Sequence, residues 1–407
     1  MKEKKNLEFI SKGKKLRFIF FALMAWGEGI SGGDKISIEL ARRWAKFFPI
    51  TIYLWEEGYR MYTRQKLSSK NILYKIIDMN PWKQLGFIIN YLARIIAGIL
   101  IASSIKLENE KTTIVYSATE FWMDSLPGFI LKIRFPKVTW IATWFQTAPS
   151  PWTGFKEGDR VLSYRTHALA YWLVQLPIKP LIKSYADFVL INNEYERKQF
   201  TEMDKKGKVI VVLGAVDLSL VKQLLNQIQS TGKVYDAVFQ GRFHPQKGVV
   251  ELIDIWKLVT DRKPDAKLAL IGDGQLMPDV KQKIDKLNLQ KNIKLFGYVL
   301  DGIKKYKIFA ESKVVLHPAF YDSGGMAAAE AMALGLPAVG FDLKSYQSYY
   351  PAGMIKVPIN NLDLFAKEIL ELLDNKKLYS ETGNQAKEMI SKNWSWDTRA
   401  ETILNSL

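Results

Sequence analysis

The 407-residue sequence predicts an α/β protein of two Rossmann-like domains whose parallel sheets face each other across a cleft. Three observations carry this expectation. From about residue 235, short continuously apolar runs alternate strictly with amphipathic stretches, the pattern of strands buried on both faces and connected by helices. Those runs end in Gly, Asp, Arg or His-Pro, residue types that suit the ligand-binding C-terminal ends of an open parallel sheet. The first half repeats the alternation less cleanly, and the polar stretch "NQIQSTGK" (226–233) separates the halves.

In chain order, "RFIFFALMAW" (17–26) reads as the first strand and leads into "GEGISGGDKISIELARRW", a glycine loop followed by a helix. "ITIYLWE", "TTIVYSA", "VTWIATWF" and "DFVLINN" are the following strands, and "VIVVLGAVDLS" closes the half. In the second half "VYDAVFQ", "AKLALIGDG", "NIKLFGYV", "KVVLHP", "PAVGFD" and "MIKVP" are strands. "VVELIDIWKLVTD", "QLMPDVKQKIDKL", "GIKKYKIFAES" and "GMAAAEAMALG" are the helices between them. This places an N-terminal domain at 1–217, a linker at 218–234, a C-terminal domain at 235–390, and a C-terminal helix at 391–407 that returns to the first domain.

Composition narrows the chemistry. With 48% hydrophobic and 24% charged residues the chain can build sizeable cores. The absence of cysteine excludes disulfides and thiolate metal sites, and is in keeping with a cytoplasmic protein. His167, His244 and His317 are too dispersed for a His-based metal cluster. The net charge of +17 is uneven: residues 1–217 hold 33 basic against 20 acidic side chains, the remainder 25 against 21. The N-terminal half also carries nine of the twelve tryptophans. A basic, Trp-rich half fits an interfacial membrane surface, or else solvated lysines over an aromatic core. "KGKKLRFIFFALMAW" has the basic and apolar parts of a signal peptide but no small-residue cleavage site follows, so a buried strand is expected. "LGFIINYLARIIAGILIASSI" (85–105) approaches a membrane span in length; Arg94 at its centre favours a core or interfacial helix.

Two stretches carry candidate chemistry. In "YDSGGMAAAEAMALGLP", Asp322 precedes a Gly324-Gly325 turn and a helix from Met326, and seven residues separate it from Glu330 within an otherwise apolar helix. The glycines let backbone approach a ligand, the helix start favours a phosphate, and an ionised Glu330 can accept from two neighbouring hydroxyls such as those of a ribose. The plainer reading makes Glu330 a satisfied helix acid and Asp322 an N-terminal cap. In "FQGRFHPQKG", Arg242 and Lys247 lie just beyond a strand between Gly241 and Gly248, two cations suited to a diphosphate. Gly272 and Gly274 in "LIGDGQL" mark a third tight turn without the dinucleotide fingerprint. His317 is expected to serve as a structural hydrogen-bonding residue.

These motifs, taken in order with "GGDKISIELARRW", resemble the retaining GT-B-fold glycosyltransferases of family four, glycosyl transferase group 1. The resemblance covers most of 235–358 and is thinner before it. It implies a sugar transferred with retention from a nucleotide-sugar donor (UDP-, GDP- or ADP-linked) to a glycan or lipid-linked acceptor hydroxyl. It further implies cell-surface glycan or glycolipid synthesis, no cofactor and no metal, since this chain has no Asp-x-Asp doublet. It implies that Asp322 contacts donor-sugar hydroxyls, Glu330 the ribose, and Arg242 and Lys247 the diphosphate. Gly32 and Gly33 would close on the donor, and Tyr298 and Val299 would meet the base. Three departures stand out: Asp for Glu at 322, Leu343-Lys344 in place of a glycine pair, and no His in "WIATWFQTAPSPW", where Trp144 and Gln146 become the acceptor-side candidates. A nucleotide-sugar epimerase would need more acid/base residues near the sugar. A nucleic-acid-binding protein would need a continuous basic stripe, whereas the lysines here are dispersed, so no nucleic acid is expected. The expected location is cytoplasmic, with the basic first half on the inner face of the cell membrane.

Overall fold

A computed structural model describes residues 13, 15–26, 29–78, 82, 85–155, 164–228 and 232–407. The N-terminal part of the signal-like segment, Gly27 and Glu28 of the glycine loop, and 229–231 of the polar stretch lie outside the described residues. The chain forms two compact units. One holds the described residues up to Ala148 with Leu169–Gly214 and Trp396–Leu407; the other holds those of 149–168 with Ala215–Ser395.

The first unit is built on a seven-stranded parallel sheet: β1 (Arg17–Phe21), β2 (Ile50–Trp55), β3 (Ile72–Ile77), β4 (Thr113–Ser117), β5 (Thr139–Trp144), β6 (Phe188–Ile191) and β7 (Val209–Val211). The strand order is β3-β2-β1-β4-β5-β6-β7, so the chain reverses direction across the sheet between β1 and β4. Successive β1 side chains serve opposite faces. Phe18 and Phe20 pack on Trp44 of the Gly32–Trp44 helix. Ile19 and Phe21 join a core with Ile95, Met123, Leu131 and Ile182 from helices on the other face. β3 went unnoticed in the sequence because it is an edge strand with no fully buried residue, so it lacks the continuous apolar signal of its neighbours.

The second unit holds a six-stranded parallel sheet of β8 (Tyr235–Gln240), β9 (Leu268–Ile271), β10 (Ile293–Gly297), β11 (Ser312–His317), β12 (Ala338–Phe341) and β13 (Met354–Val357). Its order is β10-β9-β8-β11-β12-β13, with the reversal between β8 and β11. Phe239, Leu270, Leu316 and Phe341 share a core with the Val249–Arg262 and Leu362–Asp374 helices. Leu218–Gln227, which the sequence reading puts in the linker, is helical instead. Asp217 caps it by accepting from Leu220 N at 3.0 Å, and Val221 and Leu224 are buried as it packs on the Ile303–Ala310 helix. The long helix of the chain's end, Lys376–Asn393, belongs to this unit, and a separate helix, Trp396–Ser406, packs on Gly32–Trp44 in the first. Trp44 Nε1 donates to Ala400 O at 3.2 Å, and Arg43 pairs with Asp397 at 2.9 Å.

Buried carboxyls hold the first unit's reversal point. Asp124 Oδ1 accepts from Leu23 N at 2.6 Å and Met24 N at 3.2 Å after β1, and Oδ2 meets Thr119 Oγ1 at 2.6 Å after β4. Burial pushes this carboxyl from an ordinary 3.8 up to about 8, outweighing those hydrogen bonds, with Asp34 adding repulsion. Between those two values the folded protein keeps a proton that the unfolded chain releases, so stability should fall as pH rises through the interval. Asp124→Asn reproduces the neutral hydrogen-bonding pattern and should flatten that decline in melting temperature between about pH 5 and 8. Identical slopes in parent and variant would mean that Asp124 is ionised in the folded state.

Candidate donor site at the carboxyl ends of β8 and β11

The reversal point of the second sheet gathers most of the residues singled out in the second half. Arg242 and Lys247 lie in the loop leaving β8, and Asp322 lies in the loop leaving its neighbour β11. Backbone bonds clamp the β8 loop on both sides: Phe243 N donates to Asp273 O at 2.8 Å, and Phe320 N to Gln246 O at 2.8 Å. Gly248, which ends a short turn capped by His244, has a φ of 64° and so close a neighbour that a Cβ would sit 1.9 Å from Pro318 O. Only glycine permits that seam. Gly272 and Gly274 brace the same loop, since a Cβ at either would run into Gly241 O (1.9 Å) or Phe243 O (2.6 Å).

Asp322 is the centre of a buried network. Its Oδ2 accepts from Lys247 Nζ at 2.6 Å, His317 Nε2 at 3.0 Å and the Tyr346 hydroxyl at 3.0 Å. Among the described residues Oδ1 meets only Gly324 N, at 3.4 Å. Burial on its own would raise this carboxyl, but the Lys247 charge and the hydrogen bonds from His317 and Lys247 hold it well below the usual carboxylate range. His317 is lowered by burial and by the Lys247 charge, against the pull of Asp322, so at neutral pH it is an uncharged donor. Asp322 is therefore no helix cap: the Met326–Met332 helix starts at Gly325 without a side-chain cap. Gly324 and Gly325 let Tyr349 and His317 close in, with Cβ positions only 2.1 Å from Tyr349 Cζ and 2.5 Å from His317 Nε2.

Lys247, expected on a diphosphate, is thus first an ion-pair partner of Asp322; an ammonium has three donors, leaving it capacity for a ligand. Arg242 is exposed, and its side chain has no hydrogen bond or ion pair among the described residues. Glu330 also has a partner that sequence reading missed. Lys305, 1% exposed, donates to Glu330 Oε2 at 2.6 Å and also pairs with Asp301. Burial would strip the Lys305 charge, yet Glu330 and Asp301 hold its ammonium well above the ordinary lysine value. The signal was faint: an Asp301–Lys305 spacing of four on a helix start, whose third member is distant in sequence. Tyr298 is exposed and Val299 buried, both just past Gly297, whose O accepts from Gly272 N at 2.9 Å.

The first-unit candidates fare differently. Gly32 and Gly33 are the first residues of a helix rather than part of a loop, because Ser31 and Asp34 form a capping box. Trp144 is corrected from acceptor-side candidate to core residue. It is 1% exposed, packs edge-on against Phe200 and donates to Thr147 Oγ1 at 2.9 Å. Gln146 is half-buried, and its Nε2 is buried without a hydrogen-bond partner. Sequence reading passed over Glu120 after β4, which accepts from the Tyr171 hydroxyl at 3.0 Å; burial pushes its carboxyl up to about 7.

Lys305→Met should destabilise the fold by on the order of 3 kcal/mol, because it leaves two partly buried carboxylates without their cation. The double variant Lys305→Met/Glu330→Gln should recover part of the loss in denaturant titration. Equal losses in the single and double variants would contradict the coupling.

Residues 222–389 match the family Glycosyl transferases group 1. Among curated relatives, an uncharacterised glycosyltransferase of Methanocaldococcus jannaschii is 29% identical over 171 residues, covering 40% of this chain and 41% of that protein. Poly(ribitol-phosphate) alpha-N-acetylglucosaminyltransferase of Staphylococcus aureus is 29% identical over 171 residues, 40% of this chain and 33% of that protein. The chain thus spans under half the length of these two relatives. Among solved structures, Anabaena HepE with UDP-glucose superposes with a TM-score of 0.69 at 16% identity, covering 96% of this chain and all of HepE. A TarM variant of S. aureus with UDP and glycan ligands gives 0.69 at 13% identity, covering 97% and 99%. With two parallel sheets of seven and six strands, the chain has the GT-B fold, and its residues 222–389 are similar to the glycosyl transferases group 1.

Proposed function

We propose that this protein is a retaining glycosyltransferase that moves a sugar from a nucleotide-sugar donor to an acceptor hydroxyl in cell-surface glycan synthesis. One observation carries the reading: Arg242, Lys247 and Asp322 leave the carboxyl ends of adjacent strands β8 and β11 at the sheet's reversal point, inside the family-matched segment. Arg242 and Lys247 bind the diphosphate and offset the charge that grows on it as the sugar leaves, with side chains rather than a metal ion supplying the positive charge. Asp322 Oδ1, which among the described residues meets the protein only through a long contact from Gly324 N, accepts from sugar hydroxyls, and Glu330, steadied through one oxygen by Lys305, offers the other to the ribose. The bond from the anomeric carbon to phosphate oxygen breaks while the acceptor oxygen bonds on the same face. The acceptor proton passes to the departing phosphate, so no protein base is required. UDP and UDP-glucose, named in the HepE structures, make a uridine diphosphate sugar the donor to test first. The S. aureus relative named for poly(ribitol-phosphate), and a relative named for amylovoran biosynthesis in Erwinia amylovora, point to a polymer-building acceptor. We propose a cytoplasmic location for the reaction, in keeping with the absence of cysteine.

Because the Arg242 side chain is exposed and has no ion pair among the described residues, Arg242→Ala should leave melting temperature unchanged while lowering kcat about 10²–10³-fold. Full turnover in this variant would remove the β8 loop from the reaction. Calorimetry separates the two acids. Glu330→Gln should weaken binding of the free nucleoside diphosphate, whereas Asp322→Asn should retain it and lose sugar transfer. Equal loss of nucleotide binding in both would overturn this division of roles.

A further inference from the structure

We infer that the outer face of the Gly86–Ser104 helix is a docking surface for an anionic lipid bilayer, with the helix lying in the plane of the headgroups. The helix is apolar enough over its 19 residues to cross a membrane by length and composition, with a mean hydropathy of 1.8, yet only 28% of it is buried inside the protein. Phe87, Ile88, Leu92, Ile96 and Leu100 are each more than half exposed. An apolar strip of this extent is rare on the free surface of a monomeric soluble protein.

Arg94 decides between lying and spanning. Its side chain points to the opposite, inner face, where it is 1% exposed and donates to Leu23 O at 2.9 Å and Ala25 O at 3.0 Å. Asn90 Oδ1 accepts from its Nε at 2.8 Å, and Glu57 pairs with it at 3.4 Å. The guanidinium also sits 4.2 Å over the Trp26 ring. Withdrawing the helix into a bilayer would break this set and carry a cation into hydrocarbon. Pinned through Arg94, the helix presents its other face.

The electrostatics of the surroundings select lipid over a protein partner. Three helices lie side by side on this face of the sheet: Gly86–Ser104, Trp122–Arg134 and Ile178–Tyr185. Their only carboxylate is Asp124, which is fully buried. Their outer surfaces carry the exposed cations Arg134 and Lys183 beside the exposed apolar Ile133 and Tyr185. Arg134 reaches the end of the apolar helix, donating to Ala102 O. Aliphatic side chains bordered by cations on helices with no exposed carboxylate of their own, and with Asp187 just beyond them paired to Lys132 at 2.8 Å, match acyl chains below anionic headgroups, whereas protein contacts favour aromatic and Arg anchors with charge depleted at the centre. The tryptophan bias of the first half contributes less than the sequence implied. Trp44, Trp55, Trp140 and Trp144 are core residues, and it is aliphatic side chains that dominate the surface.

The docking surface is independent of the proposed reaction, because vesicle binding is measured without donor or turnover. The full chain is to be co-sedimented with vesicles of phosphatidylcholine alone and of phosphatidylcholine with phosphatidylglycerol, at low and high salt. Binding to the anionic vesicles at low salt, reduced by salt and weak on neutral vesicles, is expected. Leu92→Glu/Ile96→Glu, both exposed and so neutral to folding, should bind at least about tenfold more weakly with an unchanged melting temperature. Lys183→Glu should weaken binding on anionic vesicles only. Absence of binding to anionic vesicles at low salt, or equal binding by the Leu92/Ile96 variant, overturns the inference. So does attachment that resists high salt and yields only to detergent, which would mean insertion. Self-association in light scattering that the same variant abolishes, without vesicle binding, would assign the face to a second copy of the chain and also overturn it.

Discussion

The ion pair between Asp322 and Lys247 is the constraint on which the second unit's site depends. It joins the loop leaving β8 to the loop leaving β11, across the point where the sheet's connections reverse. A carboxylate this far from water is stable only because three donors converge on one of its oxygens, one of them a full positive charge. His317 and Tyr346 bring in the end of β11 and the helix after β12, so the network also fixes where three successive carboxyl ends stand relative to one another. The glycine seams are its steric counterpart. Gly248 against Pro318 and Gly325 against His317 allow backbones to approach as closely as the ion pair requires.

Glu330 follows the same logic one turn into the neighbouring helix. Lys305 is more deeply buried than either of its carboxylate partners, so it acts as a fixed charge beneath them. Both acids of the 322–330 segment are therefore held by cations from other elements, each mainly through one oxygen. That is a preorganised arrangement: the orientation of the remaining oxygens is set before any ligand arrives, at the cost of burying four or more charges whose removal one at a time is expensive.

The first unit answers a similar topological problem with different electrostatics. At its own reversal point, between β1 and β4, Asp124 and Glu120 are buried with no ion pair among the described residues. Backbone amides, hydroxyls and the Gln175 amide satisfy them, and their carboxyls are pushed up instead of down. Two sheets of one architecture thus carry acids shifted in opposite directions at corresponding places, Asp322 held low by a cation and Asp124 and Glu120 pushed up by burial. Where a cation is buried in the first unit, as at Arg94, backbone carbonyls hold it on the far side of a helix whose outer face is left apolar.

The fold was legible because its determinants are local. Continuous apolar runs such as "AVF" in β8 and "VVL" in β11, separated by amphipathic helices, define parallel strands without reference to anything distant. The strand that escaped, β3, is the one whose edge position removes that signal. In the site, the sequence by itself determined which residues stand at strand ends and where glycine must allow close approach. Only the tertiary structure decided their partners. Lys247 and Asp322 are 75 residues apart, and Lys305 and Glu330 are 25 apart, so no periodicity links them. The same holds for Trp144, which a strand-end position makes a candidate ligand contact and packing on Phe200 makes a core residue. Position along a strand is written in the nearest few residues, whereas the ionisation and orientation of a buried side chain depend on what the rest of the chain brings to it.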